Sequence, residues 1–167
     1  HLGIFLILWC LSLTRLKCLQ MELLPIKEKL EENETFLDNP WCREYLQMSI
    51  DYYQKIGYVP PWIGYYAQLN GEFVGSAGFK GQPVDGKVEI AYGIFDDFQQ
   101  QGLGTKICKA LVDLVQKTNP QITISARTLP ENNASARILE KNNFVCMGIV
   151  DDPEDGEVWE WVFQKMT

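Results

Sequence analysis

The residues of this 167-residue chain that are best suited to chemistry lie in one glycine-containing loop. The loop reads QQQGLGTK from Gln99 to Lys106, between a strand-like run and a helix-like run. Its backbone amides would stand at the start of a helix, where the dipole favours anions, and its glycines would let a pyrophosphate approach the main chain. The loop has no GxxxxGKS/T pattern and an incomplete GxGxxG, so a tight turn without a ligand is the alternative.

A strand with one small face precedes this loop. Residues 88–94 read VEIAYGI, and strand alternation predicts a bulky core face opposite a face of small side chains and one carboxylate. The small face suggests that another group lies close to it. Two other interpretations stay open, namely a helix packed on the small residues and a surface ion pair of Glu89 with Lys80 or Lys87. The small face consists of Glu89, Ala91 and Gly93, and the bulky face of Val88, Ile90, Tyr92 and Ile94.

Several other chemistries are excluded by composition. The only histidine is His1, so the body of the chain has no imidazole to serve a Ser-His-Asp or Cys-His hydrolase. The five cysteines are odd in number and show no CxxC spacing, which favours free thiols in the cytoplasm over disulfides or a metal site. The net charge of -7 without a basic stripe argues against a nucleic-acid partner, although a small anionic ligand stays open.

Local signals predict the elements that would position these residues. The pair Asn70-Gly71 is a hairpin signal, and Gly57 followed by two prolines indicates a helix end. Hairpins followed by β-α-β units predict an α/β or α+β sheet with helices packed on it. The expected strands are 14–20, 63–69, 72–79, 87–95, 122–128, 144–150 and 157–163, and the expected helices are 22–37 (broken near Pro25), 41–56 (apolar stripe through Tyr45, Met48, Tyr52 and Ile56), 102–118 and 133–142.

The start of the chain has a different composition. Its first ten residues, HLGIFLILWC, resemble the apolar part of a signal peptide, but the basic residues Arg15 and Lys17 follow the run instead of preceding it. The run is also too short to span a bilayer, so no membrane partner is expected. We therefore predict one domain over residues 1–167, with 1–13 as an extension or tag-derived segment.

A second motif follows the loop after one β-α step. Residues 130–148 read PENNASARILEKNNFVCMG, which contains Asn132-x-x-Ser135 and LEKNNF. Together with Gln99-x-x-Gly102-x-Gly104, this motif resembles the GCN5-related N-acetyltransferase (GNAT) superfamily, and in particular its ribosomal-protein N-acetyltransferase-like branch. The resemblance extends over about residues 16–163 and is strong over 75–144.

The resemblance implies a fold and a cosubstrate site. The fold would be a mixed, mostly antiparallel sheet of about seven strands flanked by helices and splayed between the fourth and fifth strands, where acetyl-CoA would bind without a metal. Asn143 stands where the branch usually has glycine, and asparagine can take the same left-handed conformation. The implied cofactor contacts are the main chain of Ile94 and Phe95, the pyrophosphate loop of Gln99, Gln100, Gln101, Gly102, Leu103, Gly104 and Thr105, and Asn132 for the pantetheine amides.

The resemblance also implies direct acetyl transfer to a primary amine in a ternary complex. Glu89 would be the base that deprotonates the ammonium, through a water if it does not reach directly, and amides near Ile94 would stabilise the oxyanion. Leu139 stands where many members have a tyrosine, so Ser135 is the candidate donor to the leaving sulfur, with a helix-start hydrogen bond as its alternative. The acceptor stays open, as does a homodimer.

Two other functions are compatible with the sequence. One is a non-catalytic acyl-CoA sensor of the same fold, and the other is a domain that binds a different phosphorylated ligand. The aromatic residues of the first half are predicted mostly as core, with an acceptor pocket as the alternative. They are Trp41, Tyr52, Tyr53, Trp62, Tyr65 and Tyr66.

Overall fold

One mixed β-sheet organises the protein. The computed structural model describes residues 20–166, and seven strands within them form the order β1-β2-β3-β4-β5-β7-β6. Neighbouring strands are antiparallel except β4 and β5, which are parallel, so the predicted fold class is confirmed. The strands are β1 (Glu22–Pro25), β2 (Gly64–Leu69), β3 (Glu72–Phe79), β4 (Lys87–Ile94), β5 (Thr123–Thr128), β6 (Phe144–Asp152) and β7 (Gly156–Phe163).

Four α-helices of the described residues flank this sheet. They are α1 (Glu34–Leu37), α2 (Pro40–Ile56), α3 (Leu103–Thr118) and α4 (Ala134–Lys141), and two 3-10 turns lie at Leu30–Glu32 and Asp96–Phe98. Helix α3 connects the parallel strands β4 and β5, and its inner side is fully buried at Ile107, Leu111 and Val115. Helix α4 connects β5 to β6. The two crossover helices therefore start beside the carboxyl ends of β4 and β5.

Two predicted backbone reversals are confirmed. Asn70 and Gly71 have φ values of 53° and 82°, as a two-residue hairpin between β2 and β3 requires. Asn143 has a φ of 63°, so asparagine does take the left-handed conformation that ends helix α4. Its carbonyl oxygen then accepts a 2.8 Å hydrogen bond from the Gln164 N–H, which fixes the entry into β6 beside β7.

The start of the described chain differs from the prediction. The strand predicted at 14–20 lies outside the described residues except for Gln20. Glu22–Pro25, predicted as the beginning of a helical region, is instead the edge strand β1, and it pairs with β2 from Glu22↔Gln68 to Pro25↔Tyr65. An edge strand tolerates a proline at its end, whereas a helix interior does not. Helical structure begins only at Leu30.

Helix α2 has the predicted bounds but a different buried face. The predicted stripe included Met48, which is 66% exposed, and Tyr45, which is 37% exposed. Buried positions are Cys42, Leu46, Ile50 and Tyr53. The Tyr53 hydroxyl donates to the Ile26 carbonyl at 2.9 Å and accepts from the Gly64 N–H at 2.9 Å. These bonds fix α2 to the start of β2.

Candidate active site

Strand β4 has an open edge at its carboxyl end. Its parallel ladder with β5 comprises only three pairs, from Lys87↔Thr123 to Glu89↔Ser125, although β4 continues to Ile94. Ala91 is exposed even though it lies in the middle of the sheet. Strand β3 remains paired with β4 throughout residues 90–94. The gap is therefore on the β5 side, at the position expected for the splay.

The main chain of β4 can offer hydrogen bonds along this edge. The Phe95 N–H donates to the Val74 carbonyl at 3.0 Å, on the β3 side. Because successive N–H groups of a strand point to opposite edges, we expect the Ile94 N–H and C=O to point toward the gap. Phe95 itself is buried, its ring stacks on Trp41 at 5.5 Å, and its carbonyl accepts from the Phe98 N–H at 2.8 Å. Of the two residues predicted for main-chain contacts, only Ile94 borders the cavity described next.

A cavity of about 460 Å³, which we call the loop cavity, lies between this edge, the start of α3 and the start of α4. It brings together most of the predicted site. Gln101 and Asn132 do not line it, and both are exposed. The predicted residues that line it are Ile94, Gln99, Gln100, Gly102, Leu103, Gly104, Thr105 and Ser135.

The backbone of the Gln99–Thr105 loop is shaped for an anion. Gln100 and Gly102 both have left-handed conformations, with φ values of 61° and 72°. Gly102 caps α3, and no side chain accepts a hydrogen bond from the first turn of the helix. The N–H groups of that turn have no intrahelical partner, and the dipole adds positive potential there. This end of α3 can therefore receive a phosphate group at the loop cavity.

Gly104 also has a packing role. It is buried, and a Cβ built on it would come within 2.4 Å of Ile138 Cδ1 on α4. The two helices therefore pack closely because Gly104 has no side chain, and any larger residue would push the end of the Ile138 side chain aside. The same lack of a side chain would let a phosphate approach the main chain. The Asn142 side chain reinforces the contact, because its Nδ2 donates to the Thr105 carbonyl at 3.2 Å.

Two cationic residues of α4 were missed by the sequence analysis. Arg137 and Lys141 line the loop cavity, and both are exposed. Their i, i+4 spacing places them on one side of the helix, which was the available signal. Arg137 Nη1 also donates to the Asn132 carbonyl at 3.1 Å, so it connects the cavity with the predicted asparagine. The loop cavity thus has side-chain positive charge as well as helix-end amides.

Ser135 is the second residue of α4 and is half-buried. The helix-start hydrogen bond, its alternative role, is made by another residue, because Asn133 Oδ1 accepts from the Ala136 N–H at 3.0 Å. The Ser135 carbonyl lies 3.5 Å from the Tyr92 hydroxyl. Tyr92 was predicted only as core, but the structure places its phenol at the wall of the loop cavity. Burial raises the pKa of this phenol well above its ordinary value.

A second cavity of about 370 Å³, which we call the α2 cavity, lies on the other side of β4. Tyr92 and Gly93 line both cavities, so the two spaces meet at these residues. Three of the aromatic residues considered for an acceptor pocket, Tyr52, Tyr53 and Tyr65, line the α2 cavity. Of the other three, Tyr66 is fully buried, Trp41 stacks on Phe95 and Trp62 packs on Phe79.

Glu89 lies next to the α2 cavity without lining it. Its Oε1 is 3.0 Å from Lys80 Nζ and its Oε2 is 3.8 Å from Arg127 Nε. The ion pair with Lys80, which was an alternative interpretation of Glu89, is therefore present in the structure. The Glu89 side chain is 19% exposed, which makes this pair a half-buried one. Lys80 lines the α2 cavity and so connects Glu89 to it. Partial burial lowers the pKa of Lys80, but Glu89 more than offsets this and the net pKa is raised.

Metal and membrane sites are not found in the part of the chain that the structure describes. No group of three His, Cys, Asp or Glu side chains among residues 20–166 is arranged to hold a metal ion. Likewise, none of the described helices combines the length and the apolar character needed to cross a membrane.

The sequence matches one family. Residues 21–145 match the family described as acetyltransferase (GNAT) domain. This range contains β1 to the start of β6, the loop Gln99–Lys106, Asn132-x-x-Ser135 and the run LEKNNF at 139–144. No curated protein matches the sequence.

Solved structures share the fold at low identity. RimL, described as a ribosomal L7/L12 alpha-N-protein acetyltransferase in complex with coenzyme A, is similar with a TM-score of 0.61 and 21% identity over 86% of this chain and 93% of its own. An acetyl transferase from Salmonella typhimurium, described as modifying the N-terminal serine of 50S ribosomal subunit protein L7/L12, gives 0.62 and 18% over 88% and 96%. AAC(6')-Ib with ribostamycin and coenzyme A gives 0.61 and 24% over 87% and 93%.

Proposed function

The chain belongs to the GNAT family and is an N-acetyltransferase that uses acetyl-CoA, and on that premise we propose that it acetylates a primary amine by direct attack in a ternary complex. The observation that carries the proposal is the meeting of the loop cavity and the α2 cavity at Tyr92 and Gly93. One cavity can hold the acetyl donor and the other an amine, so the two reactants approach each other from opposite sides of β4. A sensor that only binds acyl-CoA would not need the α2 cavity.

The donor would be held mainly by backbone groups. The first-turn amides of α3 and the loop from Gln99 to Thr105 would bind the pyrophosphate, helped by Arg137 and Lys141. The main chain of Ile94 would bond the pantetheine arm along the open edge of β4. The contacts proposed for Phe95, Gln101 and Asn132 stay predictions, and the position of these residues outside the lining of the loop cavity gives them less support.

Glu89 is proposed as the base. An ammonium has no lone pair, so its proton must be removed before it attacks the thioester carbonyl. Glu89 lies two residues before Ala91, the first residue of β4 that lines the α2 cavity. Its ion-pair partner Lys80 does line the cavity and connects Glu89 to it. That geometry supports proton transfer through a water molecule in preference to direct contact.

The chain would also stabilise both charges that develop during transfer. The Ile94 amide at the open edge can donate to the oxyanion of the tetrahedral intermediate. The leaving thiol has a pKa near that of cysteine, about 8.5, so it needs only modest help. Ser135, whose hydroxyl group is not needed to cap α4, is proposed as the donor to the leaving sulfur.

The acceptor is proposed only as a primary amine. RimL is described as a protein acetyltransferase and AAC(6')-Ib was solved with an aminoglycoside, so amines of very different size occur among structures of this fold. A cytoplasmic location is likewise a proposal, which the free thiols of Cys42, Cys108 and Cys146 support. The single domain over 1–167, the absence of nucleic-acid and membrane partners and a homodimer stay predictions.

Binding of the donor is tested by thermal unfolding with acetyl-CoA, with NAD and ATP as controls. At about a hundred times Kd, mass action gives about 2.7 kcal/mol of stabilisation, which is roughly 5 to 11 °C for a domain of this size. A shift with acetyl-CoA alone is expected. The absence of any shift would overturn the proposed function.

Turnover is tested with Glu89→Gln. The variant keeps the shape of the side chain but cannot accept a proton, so kcat should fall about 100-fold while the melting-temperature shift with acetyl-CoA persists. CoA thiol release, followed with a thiol reagent, measures the rate between pH 6 and 9. Wild-type kcat/KM at every pH would rule out Glu89 as the base.

A further inference from the structure

The turn between β6 and β7 is fixed to the centre of the sheet by one buried carboxylate. Asp152 is only 7% exposed, although its neighbours in the acidic sequence DDPEDGE are at the surface. Its Oδ2 accepts from Arg127 Nη1 of β5 at 2.6 Å. Its Oδ1 accepts from the N–H groups of Glu154 at 2.9 Å and Asp155 at 3.1 Å. The Glu154 N–H, the Arg127 guanidinium and the Asp155 N–H together lower the pKa of Asp152 to about 2, so the turn stays fixed throughout the neutral range.

Fixing the turn places one particular side chain at the α2 cavity. Glu154 lines that cavity, whereas its acidic neighbours Asp151, Asp155 and Glu157 do not. It shares the cavity with Ser49, Tyr52 and Tyr53 of α2. Burial raises the pKa of Tyr52, Lys80 lowers it, and the carboxylates of Glu154 and Glu89 raise it further. The turn therefore contributes a carboxylate to a space otherwise formed by α2 and the sheet.

The Glu154 carboxylate is exposed and makes no ion pair with another described residue. Among residues 20–166, no Lys or Arg nitrogen lies within 4.0 Å of it. Lys80, the cationic side chain that also lines the cavity, is already paired with Glu89 at 3.0 Å. An amine that enters the α2 cavity thus meets the Glu154 carboxylate at the turn, whereas Glu89, proposed as the base, lies next to the cavity beside Lys80.

We propose that Glu154 binds a second positive charge of the acceptor, and that the acceptor is a small dicationic amine. This inference rests on the proposed function of the α2 cavity. One ammonium gives its proton to the base Glu89, and the resulting neutral amine attacks the thioester carbon. The C–N bond forms, the C–S bond breaks and CoA leaves as its thiol, while the other ammonium stays charged beside Glu154 and orients the molecule. A volume of about 370 Å³ suits a small molecule of this kind. Arg127 and Asp152 act as positioning residues, because they hold the turn that presents Glu154.

The test compares three acceptors that differ in one terminal group. They are 1,4-diaminobutane, 1-aminobutane and 4-aminobutyrate, whose second group is positive, absent and negative. CoA thiol release with the native chain is expected to give a kcat/KM order of diamine, monoamine and amino acid. Equal kcat/KM for the three, or acetylation of none of them, would overturn the inference. The melting-temperature shift with acetyl-CoA assesses the proposed function independently of these results.

Variants of the turn assign the selectivity to Glu154. In Glu154→Gln the ratio of kcat/KM for the diamine to that for the monoamine should fall about five-fold, the upper range for a partly exposed ion pair. Glu157→Gln removes the same charge from an exposed residue outside the cavity and should keep the native ratio. An equal fall in both variants would indicate only the general field of the acidic turn and would contradict the proposal.

The positioning role has its own measurement. Asp152→Asn weakens the bond to Arg127, so the diamine-to-monoamine ratio should fall as in Glu154→Gln, mainly through KM. In a background of Glu154→Gln, the Asp152→Asn change should have no further effect on the ratio, because it acts through Glu154. Additive effects on the ratio would show that Asp152 does not act by presenting Glu154.

Discussion

Gly93 lies on β4 where the loop cavity and the α2 cavity meet. The fold has room for a small side chain at this position. A Cβ on Gly93 would lie 3.5 Å from Ser76 Oγ, an ordinary contact. In Gly93→Ala we therefore expect a melting temperature within a few degrees of the native value. The added methyl group occupies the junction of the cavities, so kcat/KM should fall roughly 10- to 100-fold, as misplacement of reacting groups by about 1 Å does.

The matched control for Gly93 is Ala91→Val. Ala91 lies two residues earlier on the same face but lines only the α2 cavity. The variant should therefore keep the native Kd for acetyl-CoA, which Gly93→Ala should raise. Native catalysis in Gly93→Ala would mean that the acetyl group does not pass beside this residue.

Asp152 gives the stability a defined pH dependence. Its pKa is about 2 in the folded protein and about 3.9 in an unfolded chain. A carboxyl with a lowered folded pKa contributes stability above the unfolded value and loses it as pH falls toward the folded value. Urea unfolding should thus show a constant difference in free energy between the native chain and Asp152→Asn from pH 5 to 8, which shrinks between pH 4 and 2. A difference that is the same at pH 2 and pH 6 would contradict this account.

Sequence reasoning at this scale succeeded where a role depends on the backbone. The small face with Ala91 and Gly93 was predicted from strand alternation. The left-handed Asn143 was predicted from the family resemblance, which has glycine there, together with the conformational preference of asparagine. Glu154, Arg137 and Lys141 were missed because their role depends on which cavity they border. That depends on how the turn and α4 pack against the sheet, and local sequence does not encode it.

The contact between α3 and α4 is a close helix packing that can be tested by complementary changes. A Cβ at Gly104 would come within 2.4 Å of Ile138 Cδ1. The clashing atom is the end of a flexible side chain, and alanine favours a helix over glycine by about 1 kcal/mol, so Gly104→Ala should cost at most about 1 kcal/mol. Ile138→Val removes the Cδ1 atom, so Gly104→Ala in that background should cost much less. Urea unfolding of the two single variants and the double variant measures this, and an equal cost in both backgrounds would exclude the packing role.

Helix α4 also presents Arg137 and Lys141 to the loop cavity. Replacement of either by Gln should raise the Kd for acetyl-CoA about three- to five-fold at low salt, since both side chains are exposed. The increase should shrink at 0.5 M salt because of screening. Lys109→Gln is the control, since Lys109 pairs with Asp113 at 2.6 Å and does not line the loop cavity. Equal effects of the three changes in isothermal titration calorimetry would argue against specific phosphate contacts.

The elements themselves were predicted unevenly. Strands β2 to β7 and helices α2 to α4 follow from turn residues, caps and periodicity, which are local. The edge strand β1 was predicted as helix because the strand that pairs with it among the described residues, β2, lies 40 to 46 residues further along the chain. The buried face of α2 was misassigned because Tyr45, Met48 and Tyr52 are as apolar as the true core positions, and the bonds of Tyr53 to β2 and to Ile26 decide between the two faces.

Across the whole molecule, the proposed placement of donor and acceptor follows from topology. The parallel crossover from β4 through α3 to β5 brings the glycine loop to the carboxyl end of the sheet, as in other α/β crossovers that bind phosphates. The sequence resemblance predicted this arrangement, and physical reasoning from composition alone did not go beyond a mixed sheet. Identity of the amine depends on a few side chains around the α2 cavity, so the fold does not determine it.

The three-pair ladder between β4 and β5 also has a mechanical consequence. The sheet consists of two halves, one formed by β1, β2, β3 and β4 and the other by β5, β7 and β6. The strand pairing that joins the halves is limited to the three pairs between β4 and β5. We therefore expect the two halves to have few main-chain restraints between them along the line where the donor would lie. A bound acetyl-CoA that bonds to the open edge of β4 and to the helix starts would act as a brace across that line, so the protein would be most rigid while it holds its donor and most compliant after the product leaves.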